Sequence, residues 1–344
     1  MTIKSLLLGS AAALAAVSGA QAADAIIAAE PEPMEYVRVC DAFGTGYFYI
    51  PGTETCLKVG GYVRFQTNFD SSDDAYDDEH WNAWTRARLE VVAKSDTELG
   101  ELTSFIAIHG EADNDSFDDD FYLDEVYIQL GGFKVGNYYN WWDKGINGET
   151  DKLGSNRFTS LAYIYTGEAF SAGIQLDEIE YDEFSTAVPP VLLDSGRDLG
   201  VEAIVSASFG AASFDLLGSY DFYNDEGAIR ALVSADVGPG VLQLAGIWSS
   251  GVNVYYDTSE WTIAASYAFK ATDRFTITPG VQYFDSYGWD AVAGDFSSND
   301  AWRAGVTADY AITEGLALKA TVNYNDIDNV DDYWDGFVRL QRSF

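Results

Sequence analysis

Positive charge is scarce in this chain. Its 19 Lys and Arg stand against 55 Asp and Glu, a formal net charge of −36 over 344 residues. A nucleic-acid partner is thereby disfavoured, since such binding needs cations to displace the counterions of the phosphates. Histidine, cysteine and methionine number 2 each. Neither His80 nor His109 lies in a nucleophile motif, and no glycine loop with Lys-Ser/Thr follows a strand. Catalysis therefore has little support. Long apolar runs are also missing. Beyond residue 22 no stretch of 18 apolar residues occurs, which excludes a transmembrane helix.

Aromatics, by contrast, reach 15%, with 22 Tyr and 20 Phe beside 32 Gly. That usage favours strands. In 57–69, Leu57, Val59, Gly61, Val63, Phe65, Thr67 and Phe69 share one face, opposite Lys58, Gly60, Tyr62, Arg64, Gln66 and Asn68. This is the two-residue period of a strand. It recurs down the chain and predicts strands at 57–69, 81–93, 101–112, 121–130, 133–139, 158–166, 169–179, 197–209, 212–222, 227–237, 240–249, 260–270, 273–286, 300–311, 315–326 and 333–344. The third, "ELTSFIAIHGEA", alternates poorly, and Pro279 interrupts the thirteenth.

Tight turns such as "GG" (131–132), "GA" (210–211) and "GPG" (238–240) alternate with long polar connections at 70–80, 113–120, 140–157, 180–196, 250–259 and 287–299. Residues 1–22 read as a secretory signal: Lys4, then "SLLLGSAAALAAVSGA", then a cleavage site at Ala20, Gln21 and Ala22. An exported chain without a membrane helix can still span a bilayer as a closed barrel. A soluble barrel of sixteen strands would have an interior too wide to fill. The expected fold of 23–344 is therefore all-β: a sixteen-stranded antiparallel transmembrane barrel with short periplasmic turns and long external loops. Its place is the outer membrane of a Gram-negative cell, in contact with lipid and lipopolysaccharide. On the last strand Trp334, Val338, Leu340 and Phe344 would face lipid, with Arg342 snorkelling at the rim. A terminal Phe344 resembles the signal read by the barrel-assembly machinery.

The stretch "EPEPMEYVRVCDAFGTGYFYIPGTETCLKVGGYVRFQ" (30–66) closely resembles the start of alphaproteobacterial porins of the rhizobial and brucellar type. The leader "IKSLLLGSAAALAAVSGAQAADAI" and the ending "VRLQRSF" resemble that family too. The resemblance implies a trimeric, water-filled channel for small hydrophilic solutes. A closed structural or adhesive barrel is the alternative. Cys40 and Cys56 lie in this block; an oxidising periplasm favours a disulfide between them over two free thiols.

In such porins the third external loop folds into the lumen. Here it is "NWWDKGINGETDKLGSNR" (140–157), which carries Asp143, Glu149 and Asp151, with Trp141 and Trp142 placed to anchor it. By parity Arg64, Arg86 and Arg88 point inward from the early strands. The expected constriction sets these three arginines against the three carboxylates, since rings of fixed charge select ions in pores. The loops at 70–80 and 113–120 carry Asp73, Asp74, Asp77, Asp78, Asp118, Asp119 and Asp120 without one Lys or Arg. An EF-hand is disfavoured because Asp118 stands where that loop needs Gly. Plain solvation and loose Ca²⁺ or Mg²⁺ binding, bridging to lipopolysaccharide phosphates, are both open. Such an acidic mouth would attract cations at low salt.

Overall fold

The computed structural model describes residues 38–72, 80–113, 121–184, 192–290 and 294–344. The leader, and the acidic positions Asp73, Asp74, Asp77, Asp78, Asp118, Asp119 and Asp120, lie outside the described residues. Sixteen long strands form one closed antiparallel sheet. They are β1 (Cys56–Asp70), β2 (Trp81–Thr97), β3 (Gly100–Asp113), β4 (Phe121–Leu130), β5 (Phe133–Tyr139) and β6 (Arg157–Thr166). Next come β7 (Phe170–Phe184), β8 (Leu192–Phe209), β9 (Ala212–Asp221), β10 (Glu226–Val237) and β11 (Gly240–Ser249). The set ends with β12 (Ser259–Thr272), β13 (Phe275–Tyr287), β14 (Ala301–Thr313), β15 (Leu316–Ile327) and β16 (Tyr333–Ser343).

Each strand pairs with its sequence neighbours, and β16 pairs with β1 from Asp335↔Asp70 to Ser343↔Tyr62. No long strand keeps an open edge, which is the condition for spanning hydrocarbon with strands. The closure runs to the last residue. The amide of Phe344 donates to Gly61 O at 3.0 Å, and that of Gly61 to Phe344 O at 3.2 Å.

Burial is inverted relative to a water-soluble barrel. Phe65 is 50% exposed while adjacent Gln66 is 6% exposed, and Val306 is 43% exposed beside a fully buried Thr307. The apolar face points out, towards lipid, and the polar face lines the lumen. Trp334, Val338, Leu340 and Phe344 are on the outer face. The Arg342 guanidinium folds back to the rim, donating to Ser343 O (2.7 Å) and Glu314 O (3.3 Å).

The two ambiguous strands have local explanations. Pro279 lies inside β13 and pairs with Val306 on β14. On the β12 side the ladder steps from Ser266↔Gly280 to Phe269↔Ile277, passing over the residue that has no N–H to give. The weak alternation of β3 comes from Phe105, which faces the lumen and stacks on Tyr127 at 5.0 Å. Opposite it, β4 carries a bulge: Ala107 pairs with Glu125 but Ile108 with Leu123, leaving Asp124 as the extra residue.

Differences from the expected elements are confined to ends and connections. β7 and β8 continue to Phe184 and from Leu192, so the connection expected at 180–196 is shorter. Acidic residues there alternate on paired strands, and Arg197 of β8 meets Glu178 (2.6 Å) and Glu180 (2.9 Å) of β7. The loop-side links at 222–225 and 328–332 are also short. At the other rim, Gly131 takes a φ of 55° in the β4–β5 turn, a left-handed conformation that glycine adopts without steric cost.

Ahead of β1, residues 39–55 fold back against the barrel. A two-residue strand, Phe48–Tyr49, pairs with Leu57 and Cys56. Cys40 and Cys56 form a disulfide with Cα atoms 6.0 Å apart, within the usual range. Cys40, Cys56 and Tyr47 are buried together against Phe43, Tyr49 and Val92. Lys58 lies over the Tyr47 ring and Lys94 over the Phe43 ring, each at 5.8 Å. Cys56, Lys58, Val92 and Lys94 share the lumenal parity of Arg64 and Arg86, so this segment packs inside the turn-side mouth.

The double substitution C40S/C56S should lower the unfolding free energy by about 3 kcal/mol, the chain-entropy value for a loop of this length. Urea unfolding of the refolded barrel checks it. Coincident oxidised and Ser-variant curves would show that the disulfide closes a segment already held by packing.

Candidate pore constriction

Residues 140–156, between β5 and β6, cross the lumen to the opposite wall. The crossing begins with a 3₁₀ turn, Trp141–Asp143, whose start is capped by Asn140 accepting from Trp142 N at 3.1 Å. Trp142 is fully buried with Leu217, Leu232, Tyr255 and Tyr256. Arg230 of β10 lies over its ring at 5.1 Å and donates to Trp142 O (2.8 Å) and Trp141 O (2.5 Å). Tyr255 belongs to the connection 250–258, which also turns inward; its hydroxyl donates to buried Asp177 at 2.7 Å.

Beyond the turn, wall side chains satisfy the loop's backbone one group at a time. Asn147 N donates to Gln243 Oε1 (2.6 Å), Glu149 N to Thr307 Oγ1 (2.9 Å) and Lys152 N to Gln282 Oε1 (2.7 Å). Arg303 Nε donates to Thr150 O at 2.8 Å. Lys144 pairs with Asp215 on β9. Small wall residues make room: a Cβ on Gly305 would come within 2.7 Å of Thr150 Oγ1. Beyond its opening 3₁₀ turn, the loop's backbone is thus bonded to side chains of β11, β13 and β14, as buried backbone requires.

The three loop carboxylates have separate fates. Glu149 reaches the lumen, where its Oε1 is 2.5 Å from Lys319 Nζ and 3.9 Å from Arg339 Nη1. Asp143 accepts from Ser155 at 2.5 Å, within the loop. Asp151 turns under the loop, where Ile146 N donates to it at 3.4 Å. Burial pushes its carboxyl up to about 6, against the smaller opposing pull of backbone amides. Only Glu149 of the three faces the basic wall.

The arginines divide as well. Arg86 is paired with Glu111. Arg88 meets Glu90 (2.6 Å), Asp124 and Glu125 (3.0 Å). The β4 bulge brings both Asp124 and Glu125 to it, and Arg157 also engages Asp124 (3.1 Å). His109 is buried in this network, 3.3 Å from Arg88 and 3.1 Å from the Tyr122 hydroxyl. Arg86 and Arg88 thus stand in compensated ladders. Arg64 has no carboxylate in contact among the described residues and is bonded instead to Gln341.

Lys319 and Arg339 complete the basic wall. Both fall on the polar faces read from the sequence, but periodicity carries no register. The ladder supplies it: Asp309↔Lys319, Lys319↔Arg339 and Arg339↔Gln66 in one row, Gln341↔Arg64, Arg64↔Arg86 and Arg86↔Glu111 in the next. The Glu149–Lys319 pair stands between two cavities. One, of about 500 Å³ on the loop side, is lined by Asn68, Glu149, Arg303, Asn323 and Asp335. The other, about 230 Å³ on the turn side, is lined by Arg64, Asp309, Lys319, Arg339 and Gln341.

The closed barrel has counterparts among known proteins. The family profile described as "Porin subfamily" matches residues 24–339. The chain belongs to this family. Membership places it among outer-membrane channels. This porin is 53% identical to a putative outer membrane protein, y4fJ, of Sinorhizobium fredii, covering 100% of this chain and 99% of that one. It is 35% identical to porin Omp2b of Brucella suis, over the whole of both chains. Among solved structures it resembles OmpT of Vibrio cholerae in a trimer form. That likeness has a TM-score of 0.60, 10% identity, and coverage of 85% of this chain and 100% of the other.

The half-buried Asp151 gives the loop a pH dependence with a definite sign. An unfolded Asp titrates near 4, and the folded value of about 6 lies above it. The stabilisation is therefore complete below about pH 4 and is lost as pH rises through about 6. Open-channel current noise should grow between pH 4.5 and 7.5, and D151N should remove the difference. Equal pH dependence in both proteins would place its origin elsewhere.

Proposed function

We propose that this porin forms a water-filled channel for the passive diffusion of small hydrophilic solutes and ions, assembled as a homotrimer, with its constriction at Glu149. The observation that carries this reading is the Glu149–Lys319 pair, held between two lumenal cavities by a loop whose backbone is fixed to the wall. Ions pass between one carboxylate and the Arg64, Lys319 and Arg339 cations. The trimer form of OmpT supports the assembly.

Selectivity is a balance of two fields. The net charge of −36 and the acidic loops favour cations outside the eyelet. Arg64, which has no carboxylate in contact among the described residues, and Arg339, 3.9 Å from Glu149, favour anions within it. The outer field is screened within about 10 Å at 0.1 M salt. Single-channel recording under a KCl gradient should therefore give large ohmic steps in groups of three, cation-preferring at low salt and less so at 1 M. E149Q should move the reversal potential towards anion preference. Correctly folded insertions that stay silent would reject the channel and favour a closed structural barrel; a reversal potential indifferent to E149Q would remove Glu149 from the constriction.

A further inference from the structure

The seam where the barrel closes carries two Arg–Gln pairs of opposite sense. Arg64 of β1 lies opposite Gln341 of β16, and Arg339 of β16 lies opposite Gln66 of β1. In each pair Nε of the arginine donates to the glutamine oxygen, at 2.9 Å for Arg64 and 2.6 Å for Arg339. Each guanidinium also stacks on the aromatic residue two positions earlier on the same face. Arg64 lies 4.6 Å from the Tyr62 ring and Arg339 4.2 Å from the Phe337 ring.

A glutamine below Nε and a ring against the plane fix the orientation of a guanidinium without neutralising it. Arg86 and Arg88 are treated otherwise, being tied to carboxylates. Among the described residues the terminal nitrogens of Arg64 have no hydrogen-bond partner, and those of Arg339 have only Glu149 within reach, at 3.9 Å. Both arginines line the 230 Å³ cavity, with Lys319 beside them. Holding two like charges side by side costs energy unless something negative visits. Glu149 already belongs to Lys319, and so does Asp309 of the same cavity, 3.5 Å from Lys319 Nζ.

Resting on the channel reading above, we propose that the Arg64–Arg339 seam is a binding station for small oxyanions, solutes with a forked pair of oxygens such as a carboxylate or a phosphate. The guanidinium fork matches that geometry with two parallel N–H···O bonds, which a spherical chloride cannot accept. The solute would rest on the turn side of Glu149, screened from that carboxylate by Lys319, and leave by exchange with the next.

The test is single-channel recording in dilute KCl with potassium acetate or inorganic phosphate added to the turn side at constant ionic strength. The expected result is a saturable reduction of current by an oxyanion, absent when chloride is added instead. R64Q/R339Q should weaken the block by about tenfold or more. R64K/R339K, which keeps the charge but loses the fork, should weaken it by a similar factor. R197Q, on the far rim, should block like the natural protein. Stronger block by phosphate assigns a phosphate-type occupant; stronger block by acetate assigns a carboxylate. Wild-type channels that conduct KCl but show no saturable block would overturn the station while leaving the porin intact. So would a Lys variant that blocks as well as the natural protein, which would reduce the seam to a diffuse positive field. An absence of KCl conductance would instead strike at the channel itself.

Discussion

The β16–β1 ladder is the bond set on which everything else in this molecule rests. Hydrocarbon offers no partner to an N–H or a C=O, so a sheet that spans it has to close. Closure fixes the wall, and the wall fixes which residues of each strand see water. The same ladder sets register. It brings Arg64 opposite Gln341 and Arg339 opposite Gln66, residues from the two ends of the chain. This basic patch of the lumen is therefore a product of closure.

The inward loop obeys the same accounting from the other side. Its residues have left both water and the sheet, and each backbone group needs a partner. Gln243, Gln282, Thr307, Arg303 and Arg230 provide them from four strands of the far wall. Such side chains suit the task because amide and hydroxyl groups bond peptide groups without bringing net charge, and the two arginines supply several donors each. The loop is held mainly through its backbone. That leaves Glu149 available at its edge, and it explains why Asp143 and Asp151, nearby in sequence, do not share its role.

Much of the fold was legible in the sequence because a membrane wall imposes a strict two-residue period. All sixteen strands, the inward parity of Arg64, Arg86 and Arg88, and the paired cysteines could be read from it. The boundaries of β7 and β8 were not, since paired strands that rise into water no longer need an apolar face. The β4 bulge was hidden too: one extra residue leaves composition unchanged, yet it turns Asp124 and Glu125 together towards Arg88. The eyelet was half legible. Lys319 and Arg339 show their parity in sequence, but only the ladder aligns them with Glu149. Asp151 and Glu149 are both loop carboxylates in the sequence; their difference arises from which one the loop covers.

The segment 39–55 lies against β1 and β2, and among the described residues no matching feature balances it across the mouth. Aromatic rings and the Lys58 and Lys94 ammonium groups crowd one side of the turn-side opening, while the opposite mouth is framed by carboxylates. An ion therefore meets different obstacles in a different order according to its direction of travel. The disulfide makes that difference permanent by tying the crowded side in place. The two mouths of the barrel are thus unlike, a difference held by a short cross-linked segment rather than by any moving part.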